Sequence, residues 1–426
     1  MEPETLSAWL AYLERLHPKS IALGLDRVSE VKRRLQLEPT FPVVLVGGTN
    51  GKGSTCAMLE AVLSSAGYRV GCYTSPHLLR YNERVRVNRV MATDAQLCAA
   101  FAAVEAVRGD VALTYFEFGT LAAMWFFAAS QIDVAVLEVG LGGRLDAVNI
   151  FAPVCSIVTS VALDHMEYLG NDRDAIGFEK AGIYRAGKPA LFAGADAPAT
   201  LERHAAAIGA DFMKLDQDFG YTKRDHQWDF WGRRGKHHCL PYPALRGSYQ
   251  LHNAAGCVAA LDELSEVLPV TLQDIKQGLL SVDLPGRLQV VPGRPTVILD
   301  VAHNPHAAGA LAENLAAISG PGLTYGVFAM LKDKDIAGVI SAIGNRVDRW
   351  LLASIAAPRG ASAQQVQSEL RGLGLGEGEI YDSPAAAFSA ACRRARQDDR
   401  ILVFGSFYTV AGVLQQLHQP GAGKDP

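Results

Sequence analysis

The sequence predicts an α/β protein: a P-loop central domain with a mostly parallel sheet, followed by a smaller Rossmann-like α/β domain. An apolar run at 41–46 leads into a glycine-rich turn and then into a helical stretch at 55–66. Further apolar runs at 132–137 and 154–159 are separated by helix-like segments, which is typical of a parallel sheet covered on both faces. The same alternation restarts at residue 296, which predicts the second domain.

The remaining elements follow in chain order. Apolar residues at helical spacing predict a first helix that ends before Pro18, and a second helix runs to about Leu37. Residues 219–249 crowd aromatic, His, Arg and Gly residues together, which predicts a surface β-hairpin to which we assign no chemistry. Residues 291–295 have the composition of a linker, so we expect domains at 1–292 and 296–426. The other predicted strands are 69–73, 323–329, 349–353 and 401–404.

Composition excludes several classes of protein. The 426 residues contain 40 Lys and Arg against 44 Asp and Glu, and a nucleic-acid or membrane-surface protein is normally more basic. Seven cysteines form no C-x-x-C pair, so they indicate buried thiols in a reducing compartment. The longest apolar run, 121–129, is far short of the roughly 20 residues that span a bilayer. We therefore expect a soluble, monomeric cytoplasmic protein.

The strongest local signal is the loop Gly48-Thr49-Asn50-Gly51-Lys52-Gly53-Ser54 between the first strand and its helix. Such a loop presents backbone N–H groups and a helix N-terminus to a phosphate chain, and Lys52 adds a positive charge. The spacing departs from the usual pattern, since a glycine follows the lysine. A plain tight turn is the alternative; the flanking strand and helix favour nucleotide binding.

Polar residues follow three of the predicted strands. Glu138 ends an apolar strand, where a P-loop domain needs a magnesium ligand, although it could instead cap or pair structurally. His165 and Ser75 follow two other strands, and each by itself could be an ordinary loop residue. Together they predict an Mg²⁺ site, because Mg²⁺ takes few protein ligands alongside phosphates and water.

The second domain offers weaker signals. Asp300 and His303 follow its first strand, where they could face a nucleotide or a second substrate; an N-cap and turn at Asn304 and Pro305 is the equal alternative. The charge run 331–335 is most simply a solvated loop. The sequence 237–239, His-His-Cys, has no partner ligands at suitable spacing, so we do not expect a metal there.

Taken together, these segments resemble the folylpolyglutamate synthase and dihydrofolate synthase family, relatives of the Mur peptide ligases, over nearly the whole chain. Only about 40 residues precede the first strand, too few for the extra N-terminal domain that Mur ligases usually carry. The matching motifs are 48–54, 74–78, 115–117, 138–146, 164–165, 179–182, 285–287, 300–305 and 405–407.

The resemblance implies that ATP phosphorylates the carboxylate of dihydropteroate or a folate and that L-glutamate then attacks the acyl phosphate to form an amide. It implies catalytic roles for Lys52, Lys180, His165 and His303. ATP would be bound by Thr49, Asn50, Gly51, Lys52, Gly53, Ser54, Asn253, Arg287 and Asp300. One or two Mg²⁺ ions would be held by Ser54, Ser75, Glu138, His165 and Lys180.

The remaining implied contacts concern the two other substrates. The pterin would lie against Ile21, Ala22, Leu23, Gly24, Thr114, Tyr115, Phe116, Glu117, Leu145, Asp146 and Ala147. Glutamate would lie near His303 and Ser406. Lys180 would be carbamylated by CO₂, whereas its residue type and helical setting alone predict a solvated side chain.

Two other functions stay open at this point. A Mur-like ligase could act on another carboxylate, and a P-loop switch or regulatory NTPase could use its second domain only to bind a partner. A switch protein has no reason to keep the pterin-side motifs in order, which favours the folate ligase.

Overall fold

Helices and strands alternate along most of the chain. The computed structural model describes residues 3–19, 21–318 and 322–418. The helices are α1 Leu6–Leu16, α2 Asp26–Arg34, α3 Lys52–Ser65, α4 Asp94–Arg108, α5 Tyr115–Ala129, α6 Met166–Leu169, α7 Arg173–Ala181, α8 Ala199–Ile208, α9 Gln250–Glu263, α10 Leu272–Ser281, α11 Pro305–Ala317, α12 Ile336–Ile343, α13 Ala363–Gly372, α14 Pro384–Arg394 and α15 Phe407–Leu417.

The strands are short and mostly buried. They are β1 Val43–Gly47, β2 Val70–Tyr73, β3 Val85–Val87, β4 Val90–Met91, β5 Val134–Glu138, β6 Cys155–Val158, β7 Pro189–Phe192, β8 Asp211–Lys214, β9 Gly220–Lys223, β10 Gln227–Gly232, β11 Gly235–Pro241, β12 Gln289–Val291, β13 Thr296–Leu299, β14 Thr324–Phe328, β15 Arg349–Ala353, β16 Glu379–Tyr381 and β17 Arg400–Phe404.

The first of two compact units contains residues up to 162, 166–244 and 250–283. Its main sheet has the order β4-β3-β2-β5-β1-β6-β7-β8, parallel from β2 to β8. Every residue of β1 and β5 is buried, which explains their unbroken apolar runs. Strand β1 lies in the middle of this sheet, between β5 and β6, so its loop opens among the ends of its neighbours.

The second unit contains residues 163–165, 245–249 and those from 284 onward. Its sheet has the order β12-β13-β17-β14-β15-β16, and only the β12–β13 pair is antiparallel. These two units confirm the predicted α/β fold class. The boundary differs from the predicted one, because Val291 pairs with Val297 across the presumed linker. Residues 291–295 therefore form a turn inside the second unit.

The sequence patterns missed the shortest strands. Strands β3 and β4 form an edge hairpin whose turn residues, Asn88 and Arg89, have positive φ angles. Two such residues suit a tight hairpin turn, but the usual signature is Asn-Gly, so the pattern did not indicate one. Both residues of β4 are exposed, and no alternation can be read from a two-residue strand.

The predicted surface hairpin at 219–249 is confirmed as the antiparallel sheet β11-β10-β9. Its two neighbouring histidines pair with aspartates: His237 Nε2 lies 2.8 Å from Asp262, and His238 Nδ1 lies 3.5 Å from Asp229. In the described part of the chain, no helix combines the length and the apolar character that crossing a membrane would take.

Candidate functional site

The glycine-rich loop joins β1 to α3, and two of its glycines have conformations that other residues rarely adopt. Gly48 has a φ of 139° and Gly51 a φ of 94°. A Cβ atom at Gly48 would lie 2.0 Å from Thr159 Oγ1, and one at Gly51 would lie 2.5 Å from Asn253 Oδ1. Both positions therefore require glycine for conformation and for space.

The residues after β6 hold this loop in place. Thr49 N donates to Ser160 O at 2.8 Å, and Asn50 N donates to Ser160 Oγ at 3.0 Å. Thr159 Oγ1 and Ser160 Oγ both donate to Asn50 O, at 2.7 and 2.9 Å. Sequence reasoning missed Thr159 and Ser160, because nothing in their local pattern distinguishes them from ordinary strand-end residues.

The predicted nucleotide residues of the first unit come together at the start of α3. Lys52 Nζ donates to Gly48 O at 3.1 Å and to Thr49 O at 3.2 Å, so its ammonium lies over the loop. Helix α9 packs on the other side: Gln250 Nε2 donates to Ser54 Oγ at 3.3 Å, and Gln250 Oε1 accepts from Asn253 Nδ2 at 3.0 Å. This arrangement suits a phosphate chain at a helix N-terminus.

Glu138 is buried at the end of β5, with 5 % of its surface exposed. Its Oε2 accepts a hydrogen bond from the backbone N–H of Ser75 at 3.0 Å, because β2 and β5 are neighbours in the sheet. Two predicted metal ligands are thus brought together. Hard carboxylate and hydroxyl oxygens suit Mg²⁺.

The predicted pterin segments converge through a residue that the sequence did not single out, Arg27. Its Nη2 donates to Ala22 O at 2.7 Å and to Glu117 Oε1 at 2.9 Å. Glu117 is almost fully buried, and its other oxygen accepts from Thr114 N at 2.7 Å as the cap of α5. The guanidinium therefore connects the 21–24 segment to the 114–117 segment.

The loop after β5, which leads into the third pterin segment at 145–147, approaches Phe116. A Cβ atom at Gly140 would lie 2.7 Å from the Phe116 ring, so glycine allows the ring to approach the loop after β5. Asp146 folds that loop by accepting from Leu141 N at 2.8 Å and Val148 N at 3.0 Å. Burial raises the pKa of Asp146 to about 6, although these backbone N–H groups oppose the shift.

Lys180 differs from the solvated side chain that its residue type predicts. It lies in the last turn of α7 and is 3 % exposed. The adjacent Glu179 pairs with Arg144 at 2.7 Å, and the carbonyl oxygens of Glu179 and Lys180 approach Gly143 so closely that a Cβ there would lie 2.9 and 3.0 Å from them. Close packing against the loop after β5 accounts for the burial.

In the second unit, Asp164 is the centre of a charged cluster. It accepts from Lys334 Nζ at 2.5 Å, and His303 Nε2 lies 3.6 Å from its other oxygen. Lys334 Nζ also lies 3.2 Å from His165 Nε2. Burial would raise the pKa of Asp164, but the neighbouring His303, His165 and Lys334 hold it well below its usual range.

The prediction that 331–335 is a solvated charge run holds for Lys332, Asp333 and Asp335, which are exposed, but not for Lys334. The Lys334 side chain is only 8 % exposed, because it turns inward to Asp164. A buried ammonium is tolerated when a carboxylate compensates it.

The other predicted residues of the second unit have structural contacts. Asp300 accepts from Leu288 N and Ala302 N, both at 2.8 Å, and burial raises its pKa. Arg287 lies over the Phe407 ring at 5.1 Å. Ser406 caps α15 and bonds Thr409, while Asn304 caps α11 as the alternative interpretation proposed.

Among the described residues, no three His, Cys, Asp or Glu side chains gather as a metal centre. The predicted ligands include only Glu138 and His165 of these types, the others being two serines and a lysine. That the five hold one or two metal ions stays a prediction.

Two family models match the chain. A Mur ligase middle domain matches residues 46–261, and a Mur ligase glutamate ligase domain matches residues 286–407. The two matches follow the order of the two units.

Individual relatives match nearly end to end. The dihydrofolate synthase/folylpolyglutamate synthase of Escherichia coli is 46% identical over 98% of this chain and 97% of its own. The Haemophilus influenzae protein of the same name is 38% identical over 95% and 96%.

Solved structures agree in fold. An Escherichia coli FolC structure in complex with DHPP and ADP has a TM-score of 0.93 at 46% identity, covering 98% of both chains. A bifunctional folylpolyglutamate synthase/dihydrofolate synthase with Mn, AMPPNP and L-glutamate bound has a TM-score of 0.92 at 44% identity, covering 98% of this chain and 100% of that one.

The loop geometry predicts that Gly51→Ala abolishes ADP binding in isothermal titration calorimetry, because the new methyl group displaces Asn253 as well as straining the backbone. Gly67→Ala is the matched control: Gly67 has a similar φ of 91° but nothing within 4 Å of its Cβ position. Both variants lose about 1 kcal/mol of stability from the positive φ. Normal ADP binding by Gly51→Ala would show that the contact with Asn253 is unimportant.

Proposed function

The chain belongs to the dihydrofolate synthase/folylpolyglutamate synthase family of Mur-type ligases, and we propose that it joins L-glutamate to dihydropteroate or to the glutamyl chain of a folate at the expense of ATP. The observation that carries this proposal is the convergence in one unit of the phosphate loop with all three pterin segments. Arg27 joins the first two segments, Phe116 approaches Gly140, and Asp146 of the third segment accepts from Leu141 N in the same loop. A nucleotide switch would need only the loop.

The chemistry proceeds in two steps. A carboxylate oxygen of the folate substrate attacks the γ-phosphorus of ATP, the bond to ADP breaks, and an acyl phosphate forms. The amine of L-glutamate then attacks the acyl carbon, phosphate leaves, the nitrogen loses a proton, and an amide results. Lys52 and the loop N–H groups stabilise the charge that develops on the phosphoryl group. Thr159 and Ser160 fix the loop that carries those N–H groups, the N–H groups of Thr49 and Asn50 themselves donating to Ser160.

Several residues would hold Mg²⁺, which when bound would neutralise phosphate charge. They are Ser54, Ser75, Glu138, His165 and Lys180. Glu138 supports this assignment because its carboxylate is buried at the end of β5 beside Ser75, and a carboxylate oxygen is a ligand that Mg²⁺ prefers.

The second unit is proposed to contribute Arg287 and Asp300 to ATP binding and His303 and Ser406 to glutamate binding. His303 is held by its Nδ1, which lies 2.9 Å from Val301 O, and by Asp164 on the other side of the ring. Ser406 uses its hydroxyl as a helix cap, so its proposed contact with glutamate runs through an oxygen that is already bonded.

Phosphate release tests the proposal directly. The purified chain with ATP, Mg²⁺ and L-glutamate should release phosphate only when dihydropteroate or tetrahydrofolate is added, and the product should contain one more glutamate by mass spectrometry. Lys52→Ala is the inactive control. Steady ATP hydrolysis that ignores both pterins would contradict the ligase.

Asp146 gives the pterin site a pH dependence. An ionised carboxylate accepts hydrogen bonds from the pterin ring, and the pKa of Asp146 lies at about 6. Lowering the pH through 6 protonates this group, so dihydropteroate binding should weaken about tenfold per pH unit below that point. Fluorescence titration measures the affinity. In Asp146→Asn the affinity is lower throughout and the midpoint disappears; persistence of the same midpoint would assign it to another group.

Lys180 is proposed to carry a carbamate. Lys180 is buried, and a free ammonium there would bring a positive charge towards the proposed Mg²⁺ site, whereas the carbamate would supply an oxygen ligand and reverse the sign of the charge. In the reaction the neutral amine attacks CO₂ and loses a proton, so a carboxylate replaces the amine.

The carbamate is expected to appear as a carbon signal when the protein is supplied with ¹³C-labelled bicarbonate and Mg²⁺ and observed by NMR. Lys180→Ala should lack the signal and be nearly inactive, with partial rescue by a short carboxylic acid that fills the vacated space. Lys188→Ala, which changes an exposed lysine, is the control that keeps the signal. A signal that survives in Lys180→Ala would exclude this residue.

Cytoplasmic location and a monomeric state stay predictions. The prediction of buried thiols holds for Cys56, Cys72, Cys155 and Cys257 but is wrong for Cys239 and Cys392, which are exposed.

A further inference from the structure

Arg84 differs from the other arginines of the first unit that lie near the site. Arg27, Arg86 and Arg144 each pair with a glutamate, at 2.9, 2.7 and 2.7 Å. Within the part of the chain that the structure describes, the two η nitrogens of Arg84 form no hydrogen bond and no ion pair. The neighbouring carboxylate, Glu83, accepts instead from the backbone N–H groups of Leu78, Leu79 and Arg80, each at 2.7 Å.

The guanidinium of Arg84 is nevertheless fixed in position. It lies 5.3 Å from the centre of the Tyr81 ring and 5.5 Å from that of Tyr115, and these rings meet edge to face at 5.9 Å. Its Nε donates to His77 Nδ1 at 2.8 Å. Three contacts thus orient the side chain while its η nitrogens keep their hydrogen-bonding capacity. Two parallel N–H donors of a guanidinium can bind the two oxygens of one carboxylate.

The position of Arg84 separates it from the phosphate loop and associates it with the pterin segments. Arg84 precedes β3, and its carbonyl accepts from Thr74 N after β2 at 2.9 Å. Three strand spacings, β3 to β2 to β5 to β1, separate the strand that follows Arg84 from the strand that leads into the loop by roughly 14 Å. Tyr115, which it contacts, belongs to a predicted pterin segment.

We infer that Arg84 binds the α-carboxylate of the terminal glutamyl residue of a folate substrate. This inference rests on the proposed function. The carboxylate that reacts must lie at the phosphate loop and loses its charge on phosphorylation. Arg84 is a preorganised cation away from the loop, so the group that it binds is a second carboxylate of the substrate and not the reacting one. Dihydropteroate has only the reacting carboxylate, whereas a folate also has the α-carboxylate, so Arg84 serves the folate reaction alone.

Kinetics with both substrates test this selectivity. In Arg84→Met, KM for tetrahydrofolate should rise roughly 10- to 100-fold while the constants for dihydropteroate stay unchanged, because a charge-assisted pair is lost with only one substrate. Arg84→Lys should recover part of the loss, since it keeps the charge without the fork. Arg80→Gln, at an exposed arginine of the same loop, should leave both reactions unchanged.

A modified substrate provides a test that does not depend on the variant's folding. The unaltered protein should lose the same factor with a tetrahydrofolate analogue whose α-carboxylate is an amide, and Arg84→Met should not distinguish the two compounds. Equal loss with dihydropteroate and tetrahydrofolate, or no loss with either, would overturn the inference. Failure of the unaltered protein to ligate either compound would instead contradict the proposed function.

Discussion

The hydrogen bonds between the β1 loop and the end of β6 are the constraint on which the site depends. Backbone N–H groups can bind a phosphate chain only if they all point the same way, and a glycine-rich loop has no intrinsic reason to keep them so. Thr159 and Ser160 supply that order with four hydrogen bonds to Thr49 and Asn50. Each contributes only about 1 kcal/mol, but together they select one loop conformation. The neighbouring positions of β1 and β6 make these contacts possible.

Two aspartates, one in each unit, show how the surroundings of a carboxyl group set its pKa. Asp146 and Asp164 are both aspartates, yet their pKa values move in opposite directions. Asp146 is surrounded by apolar groups and backbone N–H groups, and burial dominates. Asp164 has Lys334, His165 and His303 around it, and together they outweigh burial. The first can therefore change its charge in the physiological range, while the second stays an anion that positions its neighbours.

Arginine is used in two ways on the pterin side of the first unit. Arg27 is neutralised by Glu117 and joins two chain segments, so its role is to shape the site. Arg84 is held by two tyrosine rings and a histidine, none of which removes its charge. A cation held in this way is prepared for an anion from outside the protein. Dihydropteroate has one carboxylate and a folate has at least two, so the guanidinium of Arg84 would bind the second carboxylate of the folate only.

The sequence by itself determined the fold class, the succession of the major strands along the chain and the position of the glycine-rich loop. These depend on local apolar periodicity and on glycines between a strand and a helix. Its motifs also identified the family. Only the tertiary structure revealed the contacts of Thr159, Arg27, Arg84 and Lys334, and it overturned the solvated interpretations of Lys180 and, within the 331–335 run, of Lys334. These residues act through partners distant in the chain, and burial and pairing depend on which strands become neighbours. No local pattern contains that information.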